Sequence, residues 1–179
     1  MQLLYKLIRG TTRLNEVIGR WMSYLIFLIT AAMLLGVLFR YVFNLPLAWS
    51  TELTQLLFGL YAVMSGGYVL AHKQHVNVDL FYSGLSRRAQ AILDVMTSVL
   101  FFLFIGVLLY FTTSMAFDSI ALMETSNSAW NPPIYPFKVA IPIAIFLVLL
   151  QGIVKLIEDL AIAFGMPDQA FSVIKVEDL

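Results

Sequence analysis

The chain has 179 residues, 60% of them hydrophobic, with a mean hydropathy of +0.86, 11 basic and 11 acidic side chains, and no cysteine. Soluble domains average about 45–50% apolar residues, so this composition excludes a soluble domain and predicts a polytopic membrane protein. The zero net charge argues against a nucleic-acid-binding protein, and the lack of cysteine excludes disulfides, thiolate metal sites and cysteine catalysis.

Residues 1–20 form a basic segment ahead of the first spanning run and contain Gly10. Four basic side chains lie among leucine, isoleucine and valine: Lys6, Arg9, Arg13 and Arg20. This mixture predicts a short amphipathic segment on an anionic inner leaflet, with one or two helical turns interrupted at Gly10. We expect it to lead into a retained helix and not into a cleaved signal peptide.

Four apolar runs follow, and each can form a helix that crosses about 30 Å of hydrocarbon at 1.5 Å per residue. They occupy residues 21–39, 53–71, 95–117 and 139–160. The fold class predicted is therefore an all-α integral membrane protein with four transmembrane helices. We expect the four-helix membrane domain to span residues 21–164, with a cytoplasmic tail at 165–179. The fourth run gives the weakest helix signal, because its uncharged core covers only residues 139–154.

The basic residues predict the orientation of these helices. Residues 1–20 carry four, residues 72–94 carry three and the chain from residue 155 onward carries two, whereas Arg40 and Lys138 fall on the opposite side. The positive-inside rule then places both termini in the cytoplasm, with residues 40–52 and 118–138 facing outward.

The second spanning run carries a continuous stripe of small and polar residues, and we expect the rest of the protein to be arranged around it. At 100° per residue one sector of roughly 80° holds Glu52, Gln55, Gly59, Ala62, Gly66, Leu70 and Lys73. The far side, expected to face lipid, holds Leu53, Leu57, Leu60, Tyr61, Met64 and Tyr68. Membrane helices associate through close backbone packing and interhelical hydrogen bonds, so the stripe predicts a helix contact. Its partner is either another helix of this chain or another subunit.

Charged and aromatic residues mark the ends of this helix. Arg40 and Glu52 bound the segment between the first two helices, and Trp49 lies one turn before Glu52. An Arg40–Glu52 ion pair would fix how the two helices meet, and direct contact with a partner is the alternative. The segment 118–138, with Trp130 and three prolines, predicts a stiff loop at the interface that either docks a partner or only anchors the protein.

Catalytic and ion-binding chemistry has little support in the sequence. His72, His75 and Asp79 have spacings that could hold a metal on a helix, but the segment is expected to turn and a fourth ligand is not evident, so we predict neither metal nor cofactor. No Asp, Glu, His, Lys or Arg lies in residues 21–39, 95–117 or 139–154. A self-contained pump would need one, so a self-contained four-helix homo-oligomeric transporter or channel is the alternative and not the leading hypothesis, and an enzyme is not expected.

Three motifs, FRYVFNLPLAWSTEL, GGY and HVNVDL, occur in this order around the second helix. Together with the four-helix pattern they resemble the small membrane (DctQ-like) subunit of tripartite ATP-independent periplasmic (TRAP) transporters. The resemblance falls on Arg40, Tyr41, Pro46, Trp49, Ser50, Glu52, Gly66, His75, Val78 and Asp79. Thr51 departs from it, since a second acid often stands there, and so does the long NSAWNPPIYPF loop.

The resemblance implies a complex in the bacterial inner membrane. A large membrane subunit would bind sodium ions and substrate, a periplasmic solute-binding protein would deliver an organic acid, and this chain would be a non-catalytic scaffold. The partners implied are these two proteins and membrane lipids, with no nucleic acid. The partner interface expected is the packing face of helix two and its ends: Arg40, Trp49, Glu52, Gln55, Gly59, Ala62, Gly66, His75 and Asp79.

Overall fold

A computed structural model describes residues 2–72 and 85–165, with side chains from residue 8 onward. These residues form five helices: α1 (Gln2–Val42), α2 (Ala48–Met64), α3 (Gly66–Ala71), α4 (Arg87–Ala121) and α5 (Tyr135–Ala163). Helices α2 and α3 make one span, so the described part of the chain holds four segments long and apolar enough to cross a membrane. The predicted all-α architecture with four such helices is confirmed. Most of the predicted tail, from residue 166, lies outside the described residues.

The amino-terminal segment is part of a single long helix. Helix α1 runs for 41 residues without a break at Gly10, so the expected interruption there is wrong. Ile8, Thr12 and Asn15 are buried along one side of this stretch. Burial against the bundle stabilises the helix across Gly10, where a glycine costs about 1 kcal/mol relative to alanine.

The second spanning segment is interrupted near its middle. Ser65 separates α2 from α3, and its hydroxyl donates to the Ala62 carbonyl at 3.1 Å. Hydrogen bonds on either side, such as Val69 N to Ser65 O at 3.0 Å, keep the two helices in one span. A serine beside two glycines is a common cause of such a local irregularity.

The fourth spanning helix, α5, is the centre of the bundle. It packs against α1, α2, α3 and α4, whereas α4 packs mainly on α5. The expectation that the chain is arranged around the second span is therefore wrong. Small residues on α5, such as Ala144, Gly152 and Ala161, are buried and let neighbours approach closely. A Cβ at Gly152 would overlap the ring of Phe101 on α4.

Helices α1, α4 and α5 extend beyond the predicted cores at both ends, and the second span begins earlier, at Ala48, and ends at Ala71 as predicted. Helix α5 begins at Tyr135, a turn earlier than predicted, with Pro136 in its first turn, where the missing N–H costs little. Ser86 accepts from the Ala89 N–H at 3.4 Å as the N-cap of α4, a role that a serine directly before a helical run favours. We refer to the end of the bundle with residues 43–47 and 122–134 as the loop end and to the opposite end as the basic end.

A buried pair of amides joins the first and last helices near the basic end. Asn15 Nδ2 on α1 donates to Gln151 Oε1 on α5 at 3.1 Å. The two residues are 1% and 5% exposed, and a Cβ at Gly67 of α3 would overlap the Asn15 amide. An unpaired amide in such an environment costs several kcal/mol, so each side chain needs the other. The pair therefore ties three helices together.

Two further polar contacts hold neighbouring helices. Ser50 Oγ on α2 donates to the Ala32 carbonyl of α1 at 2.7 Å, and both residues are buried. At the basic end Lys155 Nζ on α5 lies 3.1 Å from Asp94 Oδ2 on α4 and 3.6 Å from Asp159 Oδ2. The ammonium thus joins the ends of α4 and α5.

Replacing Gln151 with leucine should lower the free energy of unfolding by about 1–3 kcal/mol, because the buried Asn15 amide loses its acceptor. In a double-mutant cycle with Asn15→Ala we expect a coupling energy of about 0.6–1.7 kcal/mol, measured by equilibrium unfolding in mixed detergent micelles. Thr30→Val is the matched control, since that hydroxyl is exposed and bonds only within its own helix, to the Ile26 carbonyl. Additive effects of the two substitutions would contradict the pairing.

Candidate partner interface

The small and polar stripe of the second span divides into an exposed part and an internal part. Gln55, Gly59 and Ala62 are exposed, and the space in front of Gly59 is open. Leu70 is buried, and a Cβ at Gly66 would lie 3.2 Å from Val148 Cγ2 on α5. One end of the stripe, with Gly66 and Leu70, thus packs within the chain. The part toward the loop end is not covered by any residue that the structure describes.

Two members of the face predicted to contact lipid pack against the chain's own helices. Leu57 is buried, and the Tyr68 ring occupies the space that a side chain at position 19 would fill on α1. The other four members, Leu53, Leu60, Tyr61 and Met64, are half-buried. The lipid assignment is therefore wrong for Leu57 and Tyr68. Leucine and tyrosine fit a helix neighbour as well as they fit lipid, so hydropathy does not separate the two environments.

The exposed part of the stripe adjoins an apolar groove between α2 and the start of α5. The groove has a volume of about 280 Å³ and is bounded by Gly59, Leu60 and Val63 on one side and by Phe137 and Ile141 on the other. Phe58, beside it, is 56% exposed. We call this surface the α2 face, defined as Gln55, Phe58, Gly59, Ala62 and the groove.

At the loop end Glu52 contacts the loop after α4 and makes no ion pair with Arg40. Its Oε2 accepts a hydrogen bond from Ser128 Oγ at 2.5 Å. Ser50 packs between Ala32 and Gly36 of α1, so Arg40 extends roughly 6 Å beyond that contact toward the loop end, while Glu52 lies inward of it. The predicted pair is therefore wrong. Arg40 is exposed and Trp49 is half-buried.

The loop between α4 and α5 is compact and bonded to itself. Ser126 N donates to the Pro132 carbonyl at 3.0 Å, next to an isolated bridge between Thr125 and Pro133. Asn127 and Asn131 have φ values of 54° and 52°, a left-handed conformation that asparagine tolerates better than most residues.

Ser128 connects this loop to α2. Its Oγ accepts from the Trp130 and Asn131 N–H groups at 3.2 and 2.9 Å while it donates to Glu52. Trp130 is 40% exposed beside this junction. Glu52 therefore determines where the loop lies over the second span.

A salt bridge closes the base of the same loop. Lys138 Nζ lies 2.6 Å from Glu124 Oε2, and the Glu124 carbonyl accepts from Ile134 N at 3.0 Å. The hydrogen bond from Lys138 holds the pKa of Glu124 below its ordinary value of 4.5.

At the basic end His72 follows α3 and approaches α1. Its Nε2 lies 3.7 Å from Glu16 Oε1, and its ring stacks on Tyr68 with centroids 4.0 Å apart. The predicted interface residues His75 and Asp79 lie outside the described residues, and so does the metal set they would form with His72.

The sequence interpretation missed the residues that fix this arrangement. Gln151 is the single amide side chain in the apolar run 139–154. A lone amide in a spanning helix predicts a buried polar contact, so this residue could have been identified from the sequence. Its partner Asn15 had no such signal, because it lies in a segment expected to rest on the membrane surface. Ser128 is one of several small polar residues in a loop, and nothing local distinguishes it.

A comparison with protein families finds a match over most of this chain. The family described as "Tripartite ATP-independent periplasmic transporters, DctQ component" matches residues 29–162. A search of curated proteins finds none that matches this chain. The matched range begins within α1 and ends within α5, so it includes the whole α2 face and the loop after α4.

Ser128→Ala should loosen the loop, because the Trp130 and Asn131 N–H groups lose their acceptor and Glu52 loses its donor. We expect hydrogen exchange at these two amides to rise by about five- to thirtyfold, equivalent to roughly 1–2 kcal/mol. Glu52→Gln should raise it less, since a neutral carbonyl still accepts. Thr51→Ala is the control at an exposed neighbouring position. If the two amides exchange equally fast in Glu52→Gln and Thr51→Ala, Glu52 does not hold the loop and its carboxylate is only solvated.

The Glu124–Lys138 contact should make the loop sensitive to acid. The pKa of Glu124 is lower in the folded protein than its ordinary value of 4.5. The ionised carboxylate therefore stabilises the fold fully above pH 4.5, and this stabilisation is lost as the pH falls from 4.5 through the lowered pKa. Trp130 fluorescence, in a variant with phenylalanine at positions 21 and 49, should be constant from neutral pH to about pH 5 and change below 4.5. In Glu124→Gln this transition should be absent. A transition that persists there would assign it to another group.

Proposed function

The chain belongs to the DctQ component family of tripartite ATP-independent periplasmic transporters, and we propose that within such a transporter it is the fixed scaffold for the large membrane subunit. It is a membrane component of a transporter and not an enzyme. The observation that carries the scaffold proposal is the α2 face, where small and polar residues are exposed although Leu57, Gly67 and Leu70 of the same span are buried in the bundle.

The α2 face has the composition of a helix contact and lacks a neighbour among the described helices. Gly59 lies inside a helix, where glycine costs about 1 kcal/mol relative to alanine, and no side chain in the described part of the chain uses the space it leaves. Gln55 is exposed on the same side. Close backbone approach and an amide hydrogen bond are what stabilise helix pairs in a membrane. A helix of the large subunit, seated along Gly59 and the groove, would supply the missing neighbour.

The polar groups inside the bundle support a structural role. Asn15 and Gln151 bond to each other, and the Ser50 hydroxyl is used by the Ala32 carbonyl. Residues 21–39, 53–71, 95–117 and 139–154 contain no Asp, Glu, His, Lys or Arg. Coupling ions and substrate therefore belong to the large subunit in this proposal, with sodium as the ion and an organic acid as the substrate.

The distribution of basic residues supports a topology with both termini in the cytoplasm and the loop end in the periplasm. The compact loop 122–134, attached to Glu52, would then lie on the side from which a solute-binding protein delivers its cargo. The setting proposed is the inner membrane of a bacterium.

Gly59→Leu should reduce co-purification of the large subunit at least several-fold, because the added side chain fills the groove and prevents close approach. The matched control is Gly106→Leu on α4, a second exposed glycine in a spanning helix with open space around it. Affinity purification of the tagged chain, co-expressed with the large subunit, measures both. Gly66→Leu is a poor probe, since position 66 contacts the chain's own Val148.

Two outcomes would contradict the proposal. Equal loss of the complex in both leucine variants would remove the α2 face as the contact. Concentrative uptake by liposomes that contain this chain alone would instead support the alternative, a self-contained four-helix homo-oligomeric transporter or channel.

A further inference from the structure

A second groove lies at the loop end, between α1 and α2 and on the other side of Gln55 from the α2 face. Its volume is about 270 Å³. The apolar part is formed by Met33, Gly36 and Val37 of α1, and Arg40 and Thr51 line the part nearest the loop end. The groove thus has an apolar part along α1 and a cationic side chain at the end nearest the loops.

Arg40 is available to an external ligand. It is exposed, and it forms neither an ion pair nor a hydrogen bond with any residue that the structure describes. The nearest predicted counter-ion, Glu52, is engaged by Ser128. The neighbouring Val37 and Tyr41 are 46% and 75% exposed, so the guanidinium stands beside apolar surface. A cation at the membrane boundary without a carboxylate partner is stabilised by an anionic group from the lipid.

We propose that this groove binds a glycerophospholipid from the leaflet at the loop end, with its phosphate on Arg40 and one acyl chain along Met33, Gly36 and Val37. A guanidinium binds a phosphate through two parallel hydrogen bonds. From Met33 to Arg40 α1 rises about 10 Å, which falls within the roughly 15 Å of hydrocarbon in one leaflet. The Thr51 hydroxyl and the Gln55 amide, both exposed in the same groove, can donate to the ester oxygens.

Charge favours a lipid over a protein helix in this groove. The two grooves have similar volumes, about 270 and 280 Å³, so size does not separate them. This groove is lined by Arg40, a cation without a partner among the described residues, whereas the α2 face has the open Gly59 that close approach of a helix needs. The proposed lipid site does not depend on the large subunit and goes beyond the proposed scaffold role.

The test is lipid retention by the full chain, purified alone in a mild detergent from bacterial membranes. Native mass spectrometry should detect a phospholipid adduct on the unmodified chain. The amount of this adduct should fall at least about tenfold in Arg40→Gln, because the charge-assisted hydrogen bonds to the phosphate are lost. Arg40→Lys should retain an intermediate amount, since an ammonium cannot bind the phosphate in the bidentate way. The charge control is Arg20→Gln, an exposed arginine at the basic end, which should retain the adduct.

A second pair of variants tests the acyl-chain part without changing charge. Val37→Trp fills the groove and should lower retention, whereas Leu34→Trp, at an exposed position on α1 outside the groove, should not. Unchanged retention in both Arg40→Gln and Val37→Trp would overturn the site. Equal loss in Arg40→Gln and Arg20→Gln would also overturn it, as it would show nonspecific attraction. If Arg40→Gln keeps the lipid but no longer binds the large subunit, the groove is a protein contact and the lipid site is wrong.

Discussion

The bundle depends on the hydrogen bond between the buried amides of Asn15 and Gln151. Apolar packing alone orients membrane helices weakly, because the surrounding lipid is as apolar as the side chains. A hydrogen bond between two buried amides is directional, so this contact restricts the rotation and height of α1 against α5. It also explains why α1 is one continuous helix: Asn15, with Ile8 and Thr12 on the same side, is buried against the bundle.

With α1 fixed on α5, the second span can use only part of its surface for its own chain. Its basic end is held between the two helices, where Gly67 makes room for the Asn15 amide and Tyr68 covers Gly19. Toward the loop end it contacts α1 through Ser50 and leaves Gln55, Gly59 and Ala62 outside. One helix thus serves two purposes along its length, internal packing at one end and a free surface at the other. This division is what a subunit needs if it is to be folded by itself and still bind a larger partner.

The loop end adds a second level of order. The loop after α4 is closed on itself by Ser126 and the two left-handed asparagines, and it is attached to α2 through Ser128 and Glu52. Glu52 is used by the loop and lies inward of Arg40, which has no partner among the described residues. The loop end therefore presents an ordered loop on one side and an unpaired cation beside an apolar groove on the other.

The sequence by itself determined the number and type of helices, the N-cap at Ser86 and the family resemblance, because these follow from local apolar length, capping chemistry and ordered short motifs. It also identified the stripe on helix two. Only the tertiary structure decided which part of that stripe is internal, that α5 is the central helix, that Leu57 and Tyr68 face protein, and that Glu52 pairs with Ser128 and not with Arg40. These are contacts between residues far apart in the chain. In a membrane the same leucine or glycine suits lipid, a neighbouring helix or a partner subunit, so hydropathy and periodicity cannot choose among them, and the choice is made by the few polar pairs that fix how the helices rotate.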